Sequence, residues 1–123
     1  MRVDVLCSLP IDGSPDTRLS RSVGTAVVTV FGDVDEQAIS RFAPLRYAVE
    51  TAERTLIVDL THVGFLGIAG AQLLAAENDR ADTRRVNLRV VPGGRAVTRC
   101  LEATGLLSKF RCFPSVESAM TDG

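Results

Sequence analysis

Residues 55–74 read TLIVDLTHVGFLGIAGAQLL, and the fold is decided by how this stretch divides. Thr55 to Leu60 is an aliphatic, β-branched run of strand length, the composition of a buried strand. Phe65 and Leu66 lead through Gly67 into alanine-rich sequence that predicts a helix from about Ala69 to Ala81, its alanines marking the inner face. A strand followed directly by a helix is the unit from which a parallel sheet is built, so the flanking sequence should repeat the alternation.

Upstream, Thr25 to Phe31, TAVVTVF, is a second buried strand bounded by Gly24 and Gly32. Thr17 to Ser22 is its expected hairpin partner, with the turn near Val23 and Gly24. Asp35 is placed to cap a helix with apolar residues at Ile39, Phe42, Leu45 and Val49, and Pro44 should kink or restart it, because proline removes a backbone donor. Downstream, Val86 to Val91 reads as a strand ended by Pro92, Gly93 and Gly94. Arg95 to Ala103 has helical spacing through Val97, Cys100 and Leu101, with Gly105 as its stop. Lys109 to Phe113 is expected as a short last strand, followed by a terminal helix at Val116 to Met120 that Ser115 can cap. Residues 8–16 carry Pro10, Gly13 and Pro15 and read as loop. The expectation is an α/β fold: a mixed, mostly parallel sheet of four to five strands with about four helices. Residues 1–16 form an N-terminal tail or extra strand, and residues 17–123 a single domain.

The 123 residues suffice for one core. No stretch approaches the roughly 18 unbroken apolar residues of a membrane helix, and the first residues lack a leader pattern, so the expected location is cytoplasmic, with no membrane partner. Lys and Arg total 14 against 15 acidic residues, a net charge of -1 that offers no attraction to nucleic acid. Cys7, Cys100 and Cys112 include no CxxC pair and no neighbouring histidine, so neither a disulfide framework nor a metal site is expected. Cys100 falls on the apolar stripe of its helix and Cys112 alternates with Phe110. Both are expected to pack as small hydrophobes, with a redox role for the pair as the alternative.

Catalytic chemistry finds little to work with. His62 is the only histidine and has no serine or cysteine near it in sequence, and Gly93 and Gly94 match neither a dinucleotide loop nor a P-loop. No enzyme activity and no cofactor are expected. The informative place is the turn from Asp59 into the helix at Gly67 to Gly70, where unpaired amides and the positive end of a helix dipole face outward.

That segment, DLTHVGFLGIAGAQLL, resembles the signature of STAS domains, particularly bacterial anti-sigma factor antagonists, in which the run is typically Asp-Leu-Ser-x-Val-x-Phe-Ile-Asp-Ser-Ser-Gly-Leu. Gly32-Asp33-Val34-Asp35 resembles the family's Gly-Glu-Leu-Asp. Val97-Thr98-Arg99-Cys100-Leu101 with Thr104-Gly105-Leu106 resembles its Val-x-Arg-x-Leu and Ser-Gly-Leu. The resemblance covers about residues 17 to 120 and implies a single STAS-like domain that binds a kinase-like anti-sigma factor and frees a sigma factor. It departs from the family in one place. Gly67-Ile68-Ala69-Gly70 stands where the family has Asp-Ser-Ser-Gly, so Ile68 occupies the position of the serine that the partner kinase phosphorylates. The nearest hydroxyls are Thr61 and Thr83. The implied partner surface comprises Asp33, Asp35, Gly67, Ile68, Ala69, Gly70 and Gln72, without a phosphate switch at Ile68. Two other readings follow from the same resemblance: an accessory domain docking on an ABC transporter ATPase, or a redox- or ligand-responsive regulator. A monomer or weak dimer is compatible with either.

Overall fold

A computed structural model describes residues 9–10, 17–22, 24–34 and 43–121. In chain order the elements are β1 (Leu9–Pro10), β2 (Thr17–Ser22), β3 (Thr25–Phe31), α1 (Ala43–Thr51), β4 (Thr55–His62), α2 (Ile68–Thr83), β5 (Asn87–Val91), α3 (Arg95–Ala103), a 3-10 turn at Leu107–Lys109, β6 (Arg111–Cys112) and α4 (Val116–Thr121). The six strands lie side by side in sequence order. β1, β2 and β3 pair antiparallel, and β3 to β6 pair parallel, so four parallel strands with four helices form the body of the fold. The sheet has one strand beyond the four to five expected: Leu9 and Pro10 pair with β2 at one edge, in the segment read as a tail or extra strand, while at the other edge the expected last strand is the two-residue pairing of Arg111 and Cys112 on β5.

Alternation along the strands separates two cores. Ala26, Val28, Leu56, Val58, Leu88 and Val90 face one side, where Leu45 and Val49 of α1, Ala71 and Leu74 of α2, and Val97 and Leu101 of α3 cover them. Val27, Ile57 and Val91 face the other side and meet Ala119 of α4. Leu56, Leu74, Leu88 and Leu101 are fully buried, each worth about 1.5–3 kcal/mol.

Polar groups tie the helices to this frame. Glu77 of α2 is buried with its carboxylate 3.5 Å from Arg46 of α1 and 3.2 Å from Arg80, while Arg80 reaches Glu50 at 2.9 Å. On the opposite face buried Arg89 donates to the carbonyl of Ala119 and lies 5.2 Å from the ring centre of Phe113, fastening α4 to β5.

The helix ends follow the expected chemistry. Ser115 Oγ accepts the amide of Ser118, capping α4. Gly105, at φ +73, ends α3 while the Leu106 amide donates to Leu101 O. Four boundaries differ from expectation. β4 runs on to His62, α2 begins already at Ile68, and β5 begins at Asn87 because the Val86 amide is taken by Ala81 O at the helix exit. The last strand keeps two residues because Leu107–Lys109 coils as a 3-10 turn. Pro44 is buried within the first described turn of α1. Asp35, Ile39 and Phe42, and with them the expected cap, lie outside the described residues.

Candidate functional site

The site is built where β3 and β4 leave the sheet. Their register holds from Thr25↔Thr55 to Thr29↔Asp59, then shifts, so that Phe31 faces His62 and β4 carries one extra residue. Asp59 makes this irregularity possible. Its buried carboxylate accepts the amide of Thr61 at 3.0 Å, while the Val63 amide returns to Leu60 O at 3.0 Å. Thr61 and His62 are turned to solvent, and the His62 ring stacks on Phe31 with centroids 4.8 Å apart.

Beyond this point the two chains stay laced together. Gly32 N donates to His62 O (3.2 Å), Val34 N to Phe65 O (2.7 Å) and Gly67 N to Val34 O (2.8 Å), with Val34 and Leu66 forming an isolated parallel bridge. Val34 and Leu66 are buried and close the floor. Gly70 sits directly on them: a β-carbon there would lie 2.8 Å from Leu66 Cδ1 and 3.1 Å from Val34 Cγ1, so the first turn of α2 reaches the floor because this residue has no side chain. Gly64 leaves room in the same way for Asp33, whose Oδ1 is 2.9 Å from the position of its missing β-carbon.

Gly67 is the N-cap of α2, in extended conformation, with no side chain capping the helix and no acidic residue in its first turn. The first amides therefore present a positive end without a carboxylate. The first helical residue is Ile68, and it points outward, 63% exposed. Three residues earlier Phe65 is 49% exposed, and Gln72, one turn on, is exposed too.

The structure thus brings together Asp33, Gly67, Ile68, Ala69 and Gln72 around one turn. Gly70 supports this surface from beneath, and Asp35 lies outside the described residues. Phe65 belongs to the surface, although its sequence reads as an apolar lead into the helix. Its signal is the spacing of its neighbours: Val63 and Leu66 are buried three apart, which leaves Phe65 on the outer side of a turn.

The cysteines are not a pair: Cys100 and Cys112 are both free thiols. Cys100 is half-buried against the main core. Cys112 is exposed, contrary to the expectation of core packing, because β6 is too short to hold it in line with buried Phe110. Partial burial pushes both thiols up from their ordinary values, which disfavours the reactive thiolate. Among the described residues no three His, Cys, Asp or Glu side chains gather as metal ligands, and no helix is long and apolar enough to cross a membrane.

Comparison with known proteins agrees with this geometry. The STAS domain family profile matches residues 15–119. The chain is 30% identical over 105 residues to the anti-sigma-F factor antagonist RsfB of Mycobacterium tuberculosis, covering 80% of each chain. It is 26% identical over 115 residues to the anti-sigma-F factor antagonist RsfA of the same organism, covering 91% of this chain and 90% of that one. The crystal structure of an anti-sigma factor antagonist from Mycobacterium paratuberculosis superimposes with a TM-score of 0.71 at 31% identity, over 89% of this chain and 96% of that one. With its β3–β4 lacing, the glycine-floored start of α2 and a match over most of its length, this chain belongs to the STAS domain family.

Proposed function

We propose that this chain is an anti-sigma factor antagonist. It binds a kinase-like anti-sigma factor in the cytoplasm and relieves inhibition of a sigma factor. Its docking face is formed by Asp33, Phe65, Ile68, Ala69 and Gln72, and that face is not switched by phosphorylation at residue 68. The relatives named as anti-sigma-F factor antagonists support the role.

The observation that carries the reading is the exposure of Ile68 at the first position of α2, beside exposed Phe65. An apolar pair at a helix start gains by being covered. A phosphate at this place would bring a charge of about -1.5 to -2 and a strong demand for water, opposing that contact. Ile68 offers no oxygen to phosphorylate, so the face keeps its apolar character whether or not ATP is present.

The test is to mix the purified protein with each anti-sigma factor encoded in the same genome, with and without ATP, and to follow complex formation and intact mass. The expected result is a complex whose affinity is unaffected by ATP and a chain that gains no phosphate. Binding to none of the anti-sigma factors would refute the antagonist role. ATP-dependent release with a phosphate on Thr61 would refute the unswitched surface alone.

A further inference from the structure

Two depressions adjoin each other where β5 and β6 meet α3, and they share Gly93 and Thr98 in their walls. The first, about 460 Å³, is bounded mainly by apolar groups, among them Pro92, Leu107, Phe113 and Pro114, with Cys112 on its wall. The second, about 340 Å³, is bounded by Gly94, Arg95, Arg99 and Glu102. Each has the size of a small-molecule site.

The charges at the second depression are unbalanced. Arg95 and Arg99 stand four apart on one face of α3, a like-charge spacing that disfavours the helix. Both are exposed, and neither forms an ion pair or a side-chain hydrogen bond among the described residues. Glu102 offsets only one of the two charges. Gly94 adds a second anomaly. Its backbone is extended, at φ -93 and ψ 169, a conformation open to any residue, and a β-carbon on it would meet nothing within 4 Å. Packing and backbone geometry therefore leave this position free to carry a side chain. Gly93 is different, because its φ of +78 and its approach to Thr61 require glycine. The bare Gly94 keeps the cationic depression open.

We propose that the two depressions together form a binding site for a small amphiphilic carboxylate. Its apolar body lies against Pro92, Leu107 and Phe113, and its carboxylate is held by the guanidinium groups of Arg95 and Arg99. Guanidinium forks match carboxylates in geometry and charge, while an apolar chain of several carbons is drawn to the first depression by loss of water-exposed surface. The Cys112 thiol, kept neutral by its raised pKa, serves as one more apolar wall. This site shares no residue with the docking face at Ile68 and does not depend on the partner reading.

The test is an amide-resolved NMR titration of the full chain with octanoate, its neutral counterpart octanamide, and acetate. With octanoate, saturating shifts should centre on Gly93, Gly94, Thr98, Leu107, Cys112 and Phe113. Octanamide should bind about tenfold more weakly, the value of losing charge-assisted hydrogen bonds. Acetate should give no saturating shift. The double variant R95A/R99A should erase the difference between octanoate and octanamide. Gly94→Leu, which enters open space at the N-cap of α3, should weaken octanoate about tenfold while costing no more than about 1 kcal/mol in stability. Shifts that fail to saturate by about 10 mM octanoate, weaker than useful small-ligand affinities, would overturn the proposal. So would equal affinity for octanamide, or shifts centred on Phe65 and Ile68.

Discussion

Replacing Ile68 separates folding from binding, because the two should respond with opposite sign. Complete burial of an isoleucine side chain is worth about 1.5–3 kcal/mol. Ile68 is 63% exposed in the free chain, so a partner that covers it gains about 1–2 kcal/mol from this side chain. Ile68→Ala keeps only the β-carbon and should raise the dissociation constant of the anti-sigma complex about five- to fifteenfold. The stability of the free chain should change by less than about 0.5 kcal/mol, since little of this residue is buried. Ile68→Asp is the sharper variant. A carboxylate at the first position of α2 meets uncapped amides and the positive helix end, which should stabilise the free chain by about 0.3–1 kcal/mol. In an apolar contact the same carboxylate loses water and the isoleucine contact is gone, about 3 kcal/mol together, so binding should fall about a hundredfold. Titration calorimetry against the cognate anti-sigma factor, with urea unfolding of each variant, reads both quantities. A dissociation constant for Ile68→Asp within twofold of the parent, with stability intact, would refute the docking face. A fall in stability parallel to the fall in binding would refute the exposed placement of Ile68.

Gly93→Ala should cost about 2–4 kcal/mol in urea unfolding, because it combines a positive φ with a β-carbon 2.6 Å from the backbone of Thr61; a loss below about 1 kcal/mol would contradict that packing. Arg85, at the exit of α2, has φ +62, so Arg85→Gly should raise stability by about 0.5–1 kcal/mol, and a loss would show that the side chain contributes more than the backbone strain costs. Replacing Arg46 and Arg80 together by Met strands the Glu77 carboxylate between α1 and α2 and should cost about 2 kcal/mol, discounted for the exposure of both arginines. Glu77→Met alone should stay within about 1 kcal/mol of the parent, and the reverse order of the two would refute the ion-pair account. In a Cys7→Ser background, Cys100 and Cys112 should react with an aromatic disulfide more slowly than a free cysteine peptide at pH 8. The raised pKa moves thiolate formation to higher pH, so the rate should still be climbing above pH 9; a faster rate than the peptide at pH 7 would contradict the upward shift of the two thiols.

The parts of the fold that were legible in sequence are those set by local chemistry. TAVVTVF lies between Gly24 and Gly32, both with positive φ, and forms β3 from Thr25 to Phe31. Pro92-Gly93-Gly94 and Gly105 bracket α3 from Arg95 to Ala103. What was not legible depends on contacts between distant segments. The period-two rule places Cys112 with Phe110 on one face, but it requires a continuous strand, and β6 is a two-residue pairing after a 3-10 turn. Phe65 reads as an apolar lead into the helix, and its outward place depends on the Val34–Leu66 bridge, which joins residues 32 positions apart. The outward placement of Ile68, which the family resemblance implies, is set by the backbone, because Gly67 N is held by Val34 O, and Gly70 instead faces the floor.

The same arrangement shows how a STAS scaffold can lose the family's serine without losing its shape. The floor of the site rests on Val34, Leu66 and Gly70, and a change at any of them strikes fully packed atoms. Gly67 and Ile68 stand above that floor, one with an ordinary extended backbone and the other largely in solvent. Residue 68 is not constrained by the core. The side chains that pack α2 against β3 and β4 are therefore different from the one exposed at residue 68, although all lie within the five consecutive positions from Leu66 to Gly70. On the proposed reading, exchanging a hydroxyl for an isoleucine at residue 68 alters only what the surface offers to a partner. An Ile68→Ser variant should accordingly fold as the parent does, its stability within about 0.5 kcal/mol, and a partner kinase that still grips this face should then be able to phosphorylate it. If Ile68→Ser binds the anti-sigma factor yet gains no phosphate in the presence of ATP, the kinase-like character assigned to that partner is wrong.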